Sequence, residues 1–421
     1  MRKLLQEIYD YTASADIFVK GDQKLGRMEA AMKFFANPQN DVKILHIAGT
    51  SGKTSTSYYA AALLKNAGQK VGLTISPHAV DERERAQIDG KVLPWKTYEK
   101  YLREFFAKVK SARLEMSYSE FFFGFFFWLG RAMKLDYLVV ETALGGLFDA
   151  SNVATRADKI CLLTDIGLDH VKILGDTLPE IARQKAGIIH RENEVFAHPQ
   201  SAEIMAEFRA ACAQNHANLH VVADDKTFAD LPDFQSRNFS LALAAVEFTL
   251  ARDGQKPLSS REISAARTIN LPMRSEKFAY QNKIVLIDGA HNPQKLTAFA
   301  ANFAKQFAGK SAVLVVGFSH NKIDDVAENL RILAQLSRKI IVTEFCENTV
   351  EVQWGRSVPA EILRDAARQA GFANVVVAKN PADALNSALA TDAAVVAVVG
   401  SFYLLNHIRP ILLDAKRAKM L

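Results

Sequence analysis

The chain has 421 residues, 49% hydrophobic and 23% charged, with only 12 Pro and 21 Gly; a disordered or collagen-like protein is excluded, and the length allows two or three domains. Its 52 basic and 46 acidic side chains leave a net charge of +6, too slight an excess over this length to indicate nucleic acid but suited to an anionic small molecule. Cys161, Cys212 and Cys346 lie far apart without metal-ligand spacing, which fits a reduced, cytoplasmic compartment.

At the start, Leu4 and Leu5 are soon followed by Glu7 and Asp10, so no signal-peptide apolar stretch develops. Leu25, Met28, Ala31, Met32 and Phe35 recur at helical spacing. A short apolar run over 44–48 then meets Gly49-Thr50-Ser51-Gly52-Lys53-Thr54, and a helix-like stretch continues to Asn66-Ala67-Gly68. Strand, glycine turn and helix in such quick succession make an α/β unit. Further strands are predicted over 71–75, 137–141 and 160–164. Between them Phe121 to Gly130 holds six Phe and one Trp, bounded by Glu120 and Arg131. Ten residues fall short of the roughly 20 that span a bilayer, so this reads as a buried helix and no membrane role is expected.

A second α/β series is predicted from strands over 283–287, 312–317, 339–343, 374–377 and 394–399, with helices such as 325–336 and 360–370 between them. Such alternation indicates a parallel sheet covered by helices. The Pro- and Gly-containing stretch 255–282 marks the boundary. The expected fold class is therefore α/β: a P-loop-type nucleotide-binding domain over 1–270, then a smaller Rossmann-like parallel domain over 271–421.

The glycine turn is the most specific chemical signal. It is shortened, because the full phosphate-loop pattern needs Gly where Ile47 stands. The physics is unchanged: backbone N–H groups converge on phosphate at the positive end of the following helix, Lys53 neutralises the terminal phosphates, and the Thr54 hydroxyl can ligate Mg²⁺. An ordinary glycine turn is the bland alternative. Ligands of open parallel sheets bind at the carboxyl ends of strands, which brings in Ser76, Glu141 and Asp169-His170 as donors beside bound phosphate. Each has a structural alternative: Glu141 as a helix cap, His170 as a partly buried satisfied histidine. Asp288-Gly289-Ala290-His291-Asn292-Pro293 follows a strand in the second domain, with Pro293 placed for a first helical turn. Asn321-Lys322-Ile323-Asp324 matches the guanine-reading tetrapeptide of GTP-binding proteins; a GTP-binding regulator is the competing reading and a solvated turn the bland one.

Seven segments occur in one order: Gly49 to Ser55, Ser76-Pro77-His78, Glu141-Thr142-Ala143-Leu144-Gly145-Gly146, Asp149-Ala150-Ser151-Asn152, Ile166-Gly167-Leu168-Asp169-His170, Glu180 to Gly187, and Asp288 to Pro293. Together they resemble the folylpolyglutamate synthase/dihydrofolate synthase family of the Mur-ligase superfamily, from about residue 24 to Leu404. The resemblance implies an ATP-dependent amide ligase that phosphorylates a folate or dihydropteroate carboxylate and joins L-glutamate to it. It implies a cytoplasmic monomer acting on small molecules, with neither nucleic acid nor membrane as partner. Carried over by position, Thr54, Ser76, Glu141, His170 and Lys185 match ligands of two Mg²⁺ ions, with Lys185 as a carbamate and Lys53, His170 and Lys185 catalytic. Gly49 through Thr54 with Asn238, Arg274, Asp288 and His291 match ATP contacts. Ser119, Glu120, Phe121, Phe122, Phe148, Asp149 and Ala150 lie where the folate would bind. The second domain is expected to close over the first. Two departures stand out: Leu147-Phe148 replaces the usual Arg-Leu, and Met273 in Pro272-Met273-Arg274-Ser275-Glu276 replaces a Gly. Another Mur-type ligase is the alternative within the class, set against the 48 residues before Gly49, which are too few for a separate UDP-binding domain.

Overall fold

A computed structural model describes residues 2–13, 15, 21–78, 81–223, 228, 230–346 and 356–418. The chain divides into two units, Met1–Ile269 and Asn270–Leu421.

In the first unit the strands are β1 (Lys43–Ala48), β2 (Val71–Thr74), β3 (Gln87–Ile88), β4 (Lys91–Val92), β5 (Tyr137–Glu141), β6 (Ile160–Leu163), β7 (Glu194–Ala197) and β8 (Asn218–Val221). They form one sheet in the order β4-β3-β2-β5-β1-β6-β7-β8. From β2 to β8 every pairing is parallel, whereas β3 and β4 add an antiparallel edge. β1, β2, β5 and β6 are buried along nearly their whole length, as continuous apolar runs in a sheet covered on both faces should be. Register aligns their ends, Ile47 against Glu141 and Ala48 against Leu163. The phosphate-loop candidate, Glu141 and the residues after Leu163 thus leave the sheet along one edge.

The Phe-rich segment lies inside the helix Tyr118–Ala132, started by a capping box in which Ser117 and Glu120 satisfy each other's backbone N–H. Phe121, Phe125, Phe126 and Phe127 are fully buried and pack with Phe105, Met32 and Leu138 in the largest aromatic core of the unit. Its ten apolar residues are core, as their number predicts; among the described residues no helix is long and apolar enough to cross a membrane.

The second unit holds β9 (Glu276–Tyr280), β10 (Lys283–Ile287), β11 (Ala312–Val316), β12 (Lys339–Thr343), β13 (Asn374–Ala378) and β14 (Val395–Val399), ordered β13-β12-β11-β14-β10-β9. The sheet is parallel except for the β9–β10 hairpin at one edge. That hairpin turns through Gln281 (φ 46°) and Asn282 (φ 61°), the left-handed pair that matches the strands' twist. Apolar faces of helices Pro293–Gln306, Val326–Ala334 and Ala360–Gln369 cover it, with Phe299, Leu330 and Leu363 buried.

Candidate active site

β1 runs into Gly49, and the helix Lys53–Asn66 begins at Gly52. Both glycines are obligatory here. Their φ angles are +155° and +90°; a Cβ on Gly49 would lie 1.8 Å from Thr164 Oγ1, and one on Gly52 would lie 2.2 Å from Asn238 Oδ1. Asn238, on the helix Asp233–Arg252, is therefore brought against the loop.

The loop rests on Asp165, which no motif in the sequence singles out, and on Gly167 of the segment Ile166 to His170. Thr50 N and Ser51 N both donate to the Asp165 carbonyl, at 2.9 and 3.1 Å, and Thr50 Oγ1 donates to Gly167 O at 3.0 Å. The Asp165 carboxylate is held by Arg237, whose Nε and Nη2 lie 3.1 and 3.0 Å from Oδ1. Two amides of the loop are thus committed, which leaves those of Gly52 and the first helical turn, without an intrahelical acceptor, as the donors an anion could use. Asp165 is signalled in the sequence only by following a buried strand.

Lys53 Nζ curls back to Gly49 O at 2.9 Å, and Lys185 Nζ reaches the same oxygen at 2.9 Å. Lys185 sits in the last turn of the helix Leu178–Ala186 and is only 4% exposed, so it is not a surface lysine. Thr54 Oγ1 donates to Glu141 Oε1 at 2.9 Å, joining the ends of β1 and β5 through two buried hard-oxygen groups. Glu141 is no helix cap. Ser76 follows β2, half-buried, ahead of a cis bond to Pro77. His170 opens the short helix Val171–Leu174 with a left-handed backbone (φ 52°), its Nε2 3.9 Å from Asp169 Oδ1.

Among the described residues no group of three or more His, Cys, Asp or Glu side chains gathers as a metal cage. Thr54 and Glu141 supply two hard oxygens at the start of the helix that follows the glycine turn, donors that suit Mg²⁺.

The acyl-substrate candidates divide. Ser119 is half-buried and Phe148 is 38% exposed, so both meet solvent. Glu120, Phe121, Asp149 and Ala150 are instead engaged within the fold. The Glu120 carboxylate is fully buried, taking Ser117 N at 2.7 Å and Arg27 Nη2 at 3.0 Å. Phe121 is packed edge-on against Phe105 and Phe106, and Ala150 is in the core. Asp149 accepts from Ala143 N, Leu144 N, Ser151 N and Ser151 Oγ, which fills the roughly four acceptor sites of a carboxylate. It shapes the loop instead of facing a ligand. Phe122 is buried beneath Arg85, whose guanidinium lies 5.9 Å from its ring centre.

In the second unit, Asp288 accepts from Ser275 N (2.7 Å), Ser275 Oγ (3.1 Å) and Ala290 N (2.8 Å). Burial pushes its carboxyl above the usual range, opposed by Arg274. The Arg274 guanidinium lies 4.3 Å from the centre of the Phe402 ring, next to Gly289, where a Cβ would meet that ring at 2.5 Å. His291 Nδ1 is 2.7 Å from Gly289 O and its Nε2 is 3.1 Å from Lys295 Nζ, so Nδ1 donates and Nε2 accepts. Met273, at the position where the resemblance expects Gly, has φ +55°. Glu276 secures this turn, accepting from Met273 N at 2.9 Å while Arg409 pairs with both its oxygens at 2.7 and 3.0 Å.

Asn321 to Asp324 lie in the 3₁₀ turn His320–Asp325, with Lys322 buried 3.9 Å from Asp325, and the comparisons below favour no GTP-binding reading.

Residues 273–402 match the family described as Mur ligase, glutamate ligase domain. The chain is 26% identical over 412 residues to the dihydrofolate synthetase of Saccharomyces cerevisiae, covering 90% of this chain and 95% of that one. It is 29% identical over 394 residues to the dihydrofolate synthase/folylpolyglutamate synthase of Escherichia coli, covering 89% and 87%. Among solved structures, Mycobacterium tuberculosis folylpolyglutamate synthase complexed with ADP and AMPPCP superposes with a TM-score of 0.82 at 26% identity, covering 98% of both chains.

Proposed function

The chain belongs to the folylpolyglutamate synthase/dihydrofolate synthase family of Mur-type ligases, and we propose that it joins L-glutamate to a folate, and to dihydropteroate, at the expense of ATP. One observation supports the mechanism: Lys185 is buried with its Nζ on the carbonyl of Gly49, at the start of the glycine turn whose following helix carries Thr54, paired with Glu141. Two anions, a carboxylate and the γ-phosphate, must be brought together before an acyl phosphate forms, so cations and N–H donors have to outweigh their repulsion. The first-turn amides after Gly52 orient the phosphates and Lys53 offsets their charge. Thr54 and Glu141 would hold Mg²⁺, which when bound stabilises charge on the transferring phosphoryl group. Ser76 and His170 complete that ligand set in the proposal.

Lys185 is proposed to work as a carbamate. The carbamate nitrogen keeps one N–H for Gly49 O, while its carboxylate adds an anionic oxygen for a second Mg²⁺. Asn238, Arg274, Asp288 and His291 are assigned to ATP, and Ser119, Phe122 and Phe148 to the folate. Glutamate's amino group then attacks the acyl phosphate carbon, the amide C–N bond forms, and inorganic phosphate leaves with the C–O bonding pair.

The reading is tested by ATP-dependent incorporation of labelled glutamate with dihydropteroate, reduced folates and a UDP-muropeptide, products weighed by mass spectrometry. Products heavier by one or more glutamyl residues on a pterin substrate are expected. Incorporation only into the muropeptide, or none with any acceptor, overturns it.

A further inference from the structure

We propose that His46 and Ser151 form a buried hydrogen-bond relay that positions the loop 143–148 for the acyl substrate; this rests on the ligase reading above. His46 lies in β1 just ahead of Gly49, in register with Val140 of β5 and Cys161 of β6. It is fully buried in the central strand, where an aliphatic side chain would pack without desolvating an imidazole.

Its Nε2 lies 2.8 Å from Ser151 Oγ, and Ser151 Oγ lies 2.5 Å from Asp149 Oδ1. A carboxylate only accepts, so the serine proton points to Asp149 and the serine lone pair takes the His46 Nε2–H. The relay therefore has one direction, His46 to Ser151 to Asp149. Burial, with Lys159 nearby, holds the His46 pKa well below the ordinary histidine value, in keeping with this neutral tautomer. Among the described residues His46 Nδ1 has no hydrogen-bond partner, so the hydrogen bond the ring makes there is the one from its Nε2–H.

Beyond Asp149 the relay reaches backbone. Oδ2 takes Leu144 N at 2.8 Å and Ala143 N at 3.0 Å, the amides that follow Glu141 and Thr142. At the loop's other end Asn152 Nδ2 bonds Leu147 O and Gly187 O, both at 3.0 Å, tying it to the residue after the helix that carries Lys185. Phe148 is displayed to solvent between these anchors. A buried chain of hydrogen bonds couples the groups it joins. Here it joins the strand of the phosphate loop to the loop that presents Phe148. His46 and Ser151 are positioning residues: they act through Asp149 and are themselves shielded from solvent.

Ser151→Ala, Ser151→Thr and His46→Leu, in the full-length protein, test this. Ser151→Ala is expected to raise KM for the acyl substrate about tenfold with KM for ATP changed less than about twofold. Amide exchange over 143–144 should accelerate about tenfold, and Ser151→Thr, which keeps the hydroxyl, should restore both. His46→Leu leaves the Ser151–Asp149 bond in place and should move both readouts the same way by about threefold. It supplies the measurement if Ser151→Ala does not fold. Unchanged exchange, an equal rise of both KM values, or failure of Ser151→Thr to restore them overturns the relay. If the wild type incorporates glutamate into no acceptor, the ligase reading fails, and exchange over 143–144 still decides the relay.

Discussion

Lys53 and Lys185 share one acceptor, the carbonyl oxygen of Gly49, each with its Nζ 2.9 Å away. Two ammonium groups so placed repel, and a carbamate on Lys185 would turn that repulsion into attraction. Lys185→Ala is expected to lower glutamate ligation at least about 100-fold while costing only about 1 kcal/mol of stability for the lost hydrogen bond. Formate or bicarbonate should return part of the activity, and ¹³C-bicarbonate should label the wild type but not the variant. Wild-type turnover by Lys185→Ala without added anion would count against the carbamate.

Thr54 and Glu141 meet at 2.9 Å where β1 and β5 end. Thr54→Val keeps the volume and removes the oxygen. The Mg²⁺ concentration for half-maximal activity should rise about 10–100-fold, with the melting temperature nearly unchanged. A magnesium titration of both proteins decides it; superimposable curves would remove Thr54 from the metal site.

The phosphate loop leans on Asp165, and Asp165 on Arg237. Arg237→Met is expected to weaken ATP binding by about 1–3 kcal/mol, the range for a charge-assisted bond, without removing any group that would contact ATP directly. Because the two side chains act as a unit, Asp165→Asn in the same chain should add little further loss. Additive losses by isothermal calorimetry would show that they act separately.

This loop also marks what the sequence made legible. Its glycines and Lys53 are recognisable because phosphate binding needs special backbone conformations and a fixed charge, and both leave a residue signature. A backbone carbonyl such as Asp165 O leaves none. The strand ends carrying Glu141 and Ser76 were legible as apolar runs broken by polar residues. β8 was not, because it lies at a sheet edge and none of its four residues is buried. The cap made by Glu120 is legible too, since Ser117-x-x-Glu120 ahead of an apolar run is a capping-box signature. The loop bonds of Asp149 are not, because a carboxylate that caps its own loop has the same letter as one facing a ligand.

Burial lowers His78 and His190 to about 3 and holds His46 well below its ordinary value. The unfolded chain takes up protons on these groups near pH 6.5, and the folded chain does not until far lower. Their contribution is therefore full above pH 6.5 and is lost as pH falls from 6.5 toward 3, at up to about 1.4 kcal/mol per pH unit per histidine. Urea midpoints at pH 7, 6 and 5 should fall with acidity, and His190→Asn should flatten the slope. A midpoint independent of pH over this range would contradict it.

Met273 combines a left-handed backbone with complete burial. Met273→Gly should gain about 1 kcal/mol from backbone relief and lose about 2–5 kcal/mol of packing, a net destabilisation of about 1–4 kcal/mol. Equilibrium denaturation measures it; a more stable variant would mean that the left-handed conformation costs more than the side chain contributes.

The buried pairing of Arg409 with Glu276 joins the last helix of the second unit to its first strand. The strand that opens this unit is therefore clasped by the helix that follows its last strand, and loosening either one would leave a buried charge without its counter-ion. Fraying at one end of the unit's chain is thus resisted by the other.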